Sequence, residues 1–222
     1  MYNKSDIELK VAEFLLQIKA IKLQPNNPFT WASGWKSPIY CDNRITLSHP
    51  SVRTYIRQKL SQLIQEEYGA VDVIAGVATA GIPQGALVAQ ELGLPFIYVR
   101  AKAKEHGTGS LIEGEVIEGQ RVAVIEDLIS TGKSSLQAVD ALRAAGLSVA
   151  GLVAIFTYGF DEADKNFIAT KCRYSTLSNY QTLIRYAAEH SFIAQNDIDL
   201  LNKWRQNPAE WGKEIEQITS QS

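Results

Sequence analysis

Apolar positions along this chain change their period twice. Ile7, Val11, Phe14, Leu15 and Ile18 recur at helical spacing, and Ser5-Asp6-Ile7-Glu8 has the form of a capping box, so a first helix is predicted over residues 6–20. Residues 26–44 then lose the period. They are rich in Pro, Ser, Trp and Gly, and Trp31, Trp35, Lys36, Tyr40 and Arg44 make an aromatic and cationic cluster suited to short antiparallel strands or loops. His49-Pro50 opens a second helix, with Pro50 in the first turn and Val52, Ile56, Leu60, Leu63 and Ile64 on one face, ending near Tyr68-Gly69.

Beyond that point short continuous apolar runs alternate with helical stretches: strand 71–75, helix 83–92, strand 96–99, strand 122–125, helix 133–145 and strand 149–156. Such alternation predicts an α/β fold, a parallel sheet covered on both faces. Ligands in these sheets sit at the carboxyl ends of the strands, where the loops after Ala75 and Val99 and the segment after Ile125 should converge. Residues 73–90 are uncharged, but Gly76, Thr79, Gly81, Pro83, Gln84 and Gly85 favour a strand-loop-helix over a membrane span. From Tyr174 onward a tail is expected, a strand and two or three short helices containing Trp204 and Trp211.

Composition narrows the function classes. A length of 222 residues fits a single domain, residues 1–222. The net charge of -2, from 22 basic and 24 acidic side chains, gives no basic field for a nucleic acid. Cys41 and Cys172 have neither disulfide-framework nor zinc spacing and read as small core residues. The first residues enter a charged amphipathic segment rather than a secretory signal, which makes the cytoplasm the default location.

The chemistry concentrates in Arg121-Val-Ala-Val-Ile-Glu-Asp-Leu-Ile-Ser-Thr-Gly-Lys-Ser-Ser135. An apolar strand runs into two acids and then a small, hydroxyl-rich turn that opens a helix. Amides at such a turn attract an anion, which two nearby carboxylates would repel unless something neutral lay between. A ribose diol meets that need. Glu126 and Asp127 are read as accepting from two ribose hydroxyls, and Leu128 and Ile129 lead into Ser130, Thr131, Gly132, Lys133 and Ser134, which hold a 5-phosphate. The rival is a triphosphate loop, G-x-x-x-x-G-K-[ST], but Asp127 stands where its first glycine belongs, with the wrong shape and sign. Residues 100–120 are long for a connection and carry four glycines, as lids do; their cations, Arg100, Lys102, Lys104 and His106, begin where a strand delivers them to the site.

Taken together these segments resemble the orotate phosphoribosyltransferase family over nearly the whole chain. Residues 122–135 are similar to its phosphoribosyl-pyrophosphate (PRPP) motif, and Arg100, Lys104, His106 and Gly107 to its catalytic loop. Phe29-Thr-Trp-Ala-Ser-Gly-Trp-Lys-Ser-Pro-Ile-Tyr-Cys-Asp-Asn-Arg44 is similar to its base-contacting hood. The resemblance implies a phosphoribosyltransferase (Rossmann-like) core, roughly residues 50–170, with a small N-terminal hood, roughly residues 1–45, and a C-terminal helical tail. It implies transfer of phosphoribosyl from PRPP to orotate, with Arg100, Lys102, Lys104 and His106 acting on the departing diphosphate. Mg2+ is implied as cofactor, held through PRPP and water with no direct protein ligand. A homodimer sharing the lid loop between subunits is implied too, with no nucleic acid or membrane partner. Some members carry cations where Ala32, Thr79-Ala80 and Ala101 stand here, and an arginine absent from Thr157-Tyr-Gly-Phe160; orotate binding therefore falls to Ser130, Lys36 and Arg44. A regulator that binds PRPP without turnover is the alternative from another class, and the cationic lid argues against it. A purine phosphoribosyltransferase is a third reading, which the hood disfavours.

Overall fold

Alternating apolar runs and helices do build one central sheet. The computed structural model describes residues 3–31, 34–102 and 111–211. Its elements in chain order are α1 Lys4–Gln17, β1 Ile21–Leu23, β2 Phe29–Thr30, β3 Lys36–Ser37, β4 Ile39–Cys41, a 3-10 turn Asn43–Ser48, α2 Pro50–Tyr68, β5 Val73–Val77, α3 Gly81–Leu92, β6 Phe96–Val99, β7 Ile112–Glu113, β8 Arg121–Ile129, α4 Lys133–Ala144, β9 Ser148–Thr157, α5 Asp161–Ala169, β10 Tyr174–Asn179, α6 Tyr180–Glu189 and α7 Asp197–Gln206.

The six-stranded sheet has the order β10-β9-β8-β5-β6-β7, parallel except for the edge strand β7, which runs antiparallel to β6. From β5 the chain steps outward to β6, and from β8 it steps the other way to β9 and β10. The reversal falls between β5 and β8, and the crevice at their carboxyl ends is where such a sheet receives ligands. Ile125, Ala123, Ile74 and Val153 pack with α1, α2, α3 and α6 on one face; Val122, Val124, Leu152 and Ala154 pack with Leu136, Val139 and Phe167 of α4 and α5 on the other. The hood consists of two small antiparallel pairs, β1-β4 and β2-β3.

Several predicted boundaries move, each for a local reason. The first helix begins at Lys4 rather than residue 6 because the Asn3 carbonyl already accepts from Asp6 and Ile7. No side-chain cap forms there, so the Ser5–Glu8 capping box is not realised; Glu8 instead accepts from Thr182 Oγ1 of α6. Lys19, with a positive φ of 60°, follows the end of the helix at Gln17. The strand predicted to stop at residue 125 continues to Ile129, since β9 is long enough to pair Leu128 with Phe156 and Ile129 with Thr157. Both acids therefore lie within β8 and not in the turn after it. β5 starts at Val73 rather than residue 71, and α3 begins at Gly81 rather than residue 83. The second helix, Pro50–Tyr68, falls as read. β7 and α5 carry too little apolar signal to be read: β7 has two residues, and of α5 only Ala163 and Phe167 are buried.

Candidate active site

Helix α3 comes so close to the sheet that a Cβ on Gly81 would lie 2.5 Å from the Ile125 carbonyl oxygen. This contact draws the loop after β5, residues 78–80, up to the end of β8. Along β8 the side chains alternate up to Ile125, but Leu128 packs on the α3 side and Ile129 on the α4 side, so the alternation lapses at the two acids. There the carboxyl groups of Glu126 and Asp127 lie close enough to shift each other's proton affinity.

Glu126 is 5% exposed; its Oε2 accepts from Ser135 Oγ of α4 at 3.3 Å and its Oε1 from the Asp127 amide at 3.0 Å. Burial pushes its pKa well above the ordinary carboxyl value, and the Asp127 charge adds to that. Burial also raises Asp127, opposed by hydrogen bonds from Glu126 and local amides and by the Arg44 charge. The pair keeps a proton to higher pH than solvated carboxyls do, and a hydrogen-bonding ligand that excluded water would find two acceptors held side by side.

The following turn has its carbonyls tied and its amides open. Ile129 O accepts from Tyr158 N and Thr157 Oγ1, each at 3.2 Å, and Thr131 O accepts from Asn166 Nδ2 at 3.0 Å. Gly132, the N-cap of α4, has φ 77°, and a Cβ on it would lie 2.6 Å from Phe167 Cε2. Among the described residues, the amides of residues 130–134 donate to no partner, while the carbonyl of Gly132 starts the helix by accepting from Leu136 N. Open amides at a helix N-terminus are an anion seat.

Arg100 follows β6; its amide donates to Leu111 O at 2.8 Å and its guanidinium lies 3.5 Å from Glu113 Oε1. It lines a cavity of about 480 Å³ with Val77, Ala78, Leu111, Ser134 and Gln137. Glu126 and Asp127 lie outside that lining, so the cavity adjoins the start of α4 and the residues just after β6 rather than the acid pair. Lys102 is exposed beside it, and Lys104 and His106 lie outside the described residues. In the hood, Arg44 forks onto Asp42, Nε to Oδ1 at 2.6 Å and Nη2 to Oδ2 at 2.9 Å, which holds the Asp42 carboxyl below its usual range. Lys36 Nζ donates to Thr30 Oγ1 at 3.0 Å. The sequence reading assigned no role to Ser135, which donates to Glu126, or to Asn43, which donates from the hood to the Asp127 carbonyl at 2.7 Å. Both lie inside the motifs quoted above, but their roles depend on contacts made only in the fold.

Among the described residues no cluster of three or more His, Cys, Asp or Glu side chains could hold a metal, and no helix is long and apolar enough to cross a membrane. Cys41 and Cys172 are both free, Cys172 buried and Cys41 partly so.

Comparison with known proteins gives a consistent result. The family model of the phosphoribosyl transferase domain matches residues 46–188. An orotate phosphoribosyltransferase of Phocaeicola vulgatus is 56% identical over 205 residues, 92% of this chain and 97% of that protein. The crystal structure of orotate phosphoribosyltransferase from Aeropyrum pernix superposes with a TM-score of 0.72 at 27% identity, covering 83% of this chain and 99% of that one. Leishmania donovani UMP synthase superposes with a TM-score of 0.73 at 28% identity; 89% of this chain is covered but only 42% of that longer one.

Proposed function

The chain belongs to the orotate phosphoribosyltransferases, and from that premise we propose how its residues carry out the transfer. The enzyme moves the phosphoribosyl group of PRPP to orotate, giving orotidine 5-phosphate and diphosphate in pyrimidine nucleotide synthesis. The single observation that carries the residue assignment is the buried Glu126–Asp127 pair beside a turn of open amides. The carboxyls accept from the two ribose hydroxyls, and residues 130–134 receive the 5-phosphate with amides and hydroxyls.

The ring nitrogen of orotate attacks the anomeric carbon while the bond to diphosphate breaks and carries its electron pair away, through a transition state of oxocarbenium character. No protein nucleophile is needed. Charge grows on the departing diphosphate, so cations aimed there are the useful groups: Arg100 and Lys102 at the lid base, with Lys104 and His106 beyond them. The closed loop would also keep water from the activated sugar. Ser130, Lys36 and Arg44 are the proposed orotate contacts, the last two by swinging from Thr30 and Asp42.

Mg2+ suits this donor set as a passenger of PRPP. The described residues offer no cage of carboxylates, and a small hard cation retains water and substrate oxygens. Bound there, it would neutralise part of the diphosphate charge. A homodimer in which each lid reaches the partner's site, and a cytoplasmic location, complete the proposal.

The test is the loss of orotate absorbance on mixing the enzyme with PRPP and Mg2+, in wild type and in Lys104→Ala. Turnover is expected in the wild type and a fall of about 10^2–10^3 in the variant. PRPP binding without any absorbance change would mark a PRPP-sensing regulator instead, and an unchanged variant would remove Lys104 from the mechanism.

A further inference from the structure

One buried polar chain links the hood to the sheet outside the groups assigned above. Asn43, first residue of the 3-10 turn and 1% exposed, donates from Nδ2 to the main-chain carbonyl of Asp127, while its Oδ1 accepts from Cys41 Sγ at 3.3 Å. The Asn43 carbonyl accepts from Thr46 Oγ1 at 2.6 Å, and Thr46 Oγ1 accepts from Gln84 Nε2 of α3 at 3.1 Å. Thr46 and Gln84 are fully buried too. The chain therefore joins α3, which follows the loop after β5, to the strand residue that bears an acid.

The location matters because β8 pairs with β5 only as far as Ile125. Past that point the ladder no longer holds the main chain from β5, and Asn43 supplies a hold two residues further on. The job asks for a carboxamide. It donates to a carbonyl and accepts from a thiol at once, whereas an ionised aspartate can only accept and an alanine does neither. Buried polar groups of this kind keep their geometry because breaking any one link leaves the others unpaired.

We propose that Asn43 is a positioning residue for PRPP: its carboxamide fixes the main chain at Asp127, and so the point where that carboxyl meets the ribose diol, while Thr46 and Gln84 hold the turn in place against α3. This rests on the assignment of Asp127 to the ribose.

Calorimetric titration of PRPP with Mg2+ into the full chain, beside steady-state kinetics for both substrates, tests it. Asn43→Ala and the isosteric Asn43→Asp each weaken PRPP binding on the order of tenfold, the worth of one hydrogen bond, and raise the KM for orotate by a smaller factor. Thr46→Val weakens it less, in the same direction. In an Asp127→Asn background Asn43→Ala adds less than it does alone, because the two act through one contact. Thermal unfolding of each variant separates folding from positioning, and if Asn43→Ala does not fold, Asn43→Asp and Thr46→Val decide the matter. Variants that lower Tm yet bind PRPP as the wild type does overturn the proposal, as does a full loss that persists beside Asp127→Asn. If Asp127→Asn alone binds PRPP normally, the ribose assignment is what fails, independently of Asn43.

Discussion

Glu126 is the residue whose environment most constrains its chemistry. Burial raises its pKa above the ordinary value of 4.5, with the Asp127 charge as the next cause. A carboxyl that binds its proton more tightly folded than unfolded contributes its stability in full below the unfolded pKa, and that contribution is lost as pH rises through the folded value. Above that range the free enzyme bears the cost of a buried charge. Glu126→Gln should therefore make the ligand-free protein more stable than wild type at pH 8, with Tm higher by about 2–4 °C for each kcal/mol relieved. The gain should vanish near pH 4, and kcat/KM for PRPP should fall, since an amide is a weaker acceptor for a ribose hydroxyl. Calorimetry across pH checks the first part; a Glu126→Gln variant no more stable than wild type at pH 8 contradicts it. Both acids were readable from sequence as an anomaly, two charges ending an apolar run. Their coupling was not, because it depends on where strand alternation lapses.

Among the elements, the turn into α4 is the most exacting. Gly132 combines a left-handed backbone with a Cβ direction blocked by Phe167 of α5. Gly132→Ala should cost at least about 1–2 kcal/mol from backbone conformation alone and displace the open amides, so urea midpoints and affinity for inorganic phosphate should fall together. A variant of normal stability and normal phosphate affinity would mean that the turn does not form the anion seat. Helix α4 and the turn before it were legible because their residues carry the signal locally. β8 was read too short, since its last four residues extend only because β9 runs alongside them. Helix α5, which supplies Phe167 and Asn166 to the turn, was unread, because an acidic first turn and two buried side chains give little periodicity.

For the molecule as a whole, the hood, sheet and tail share one aromatic cluster. Trp204 of α7, fully buried, meets Trp31 of the hood edge-on at 5.6 Å, with Tyr158, Phe160 and Tyr180 at 5.8, 5.5 and 5.5 Å. The tail thus braces the hood against the carboxyl end of β9, a role its sequence gave no reason to expect. Trp204→Ala should cost about 3–5 kcal/mol and raise the KM for orotate more than that for PRPP, because the hood loses its support while β8 keeps its ladder. Equal effects on both substrates would argue that the tail stabilises without directing the hood. The most direct measurement is the crystal structure of the enzyme with PRPP and Mg2+. The account predicts the Glu126 and Asp127 carboxyls at roughly 2.5–3.0 Å from two ribose hydroxyls, with the 5-phosphate on the amides of residues 130–134. Carboxyls turned away from the sugar, or a phosphate seated elsewhere, would contradict it.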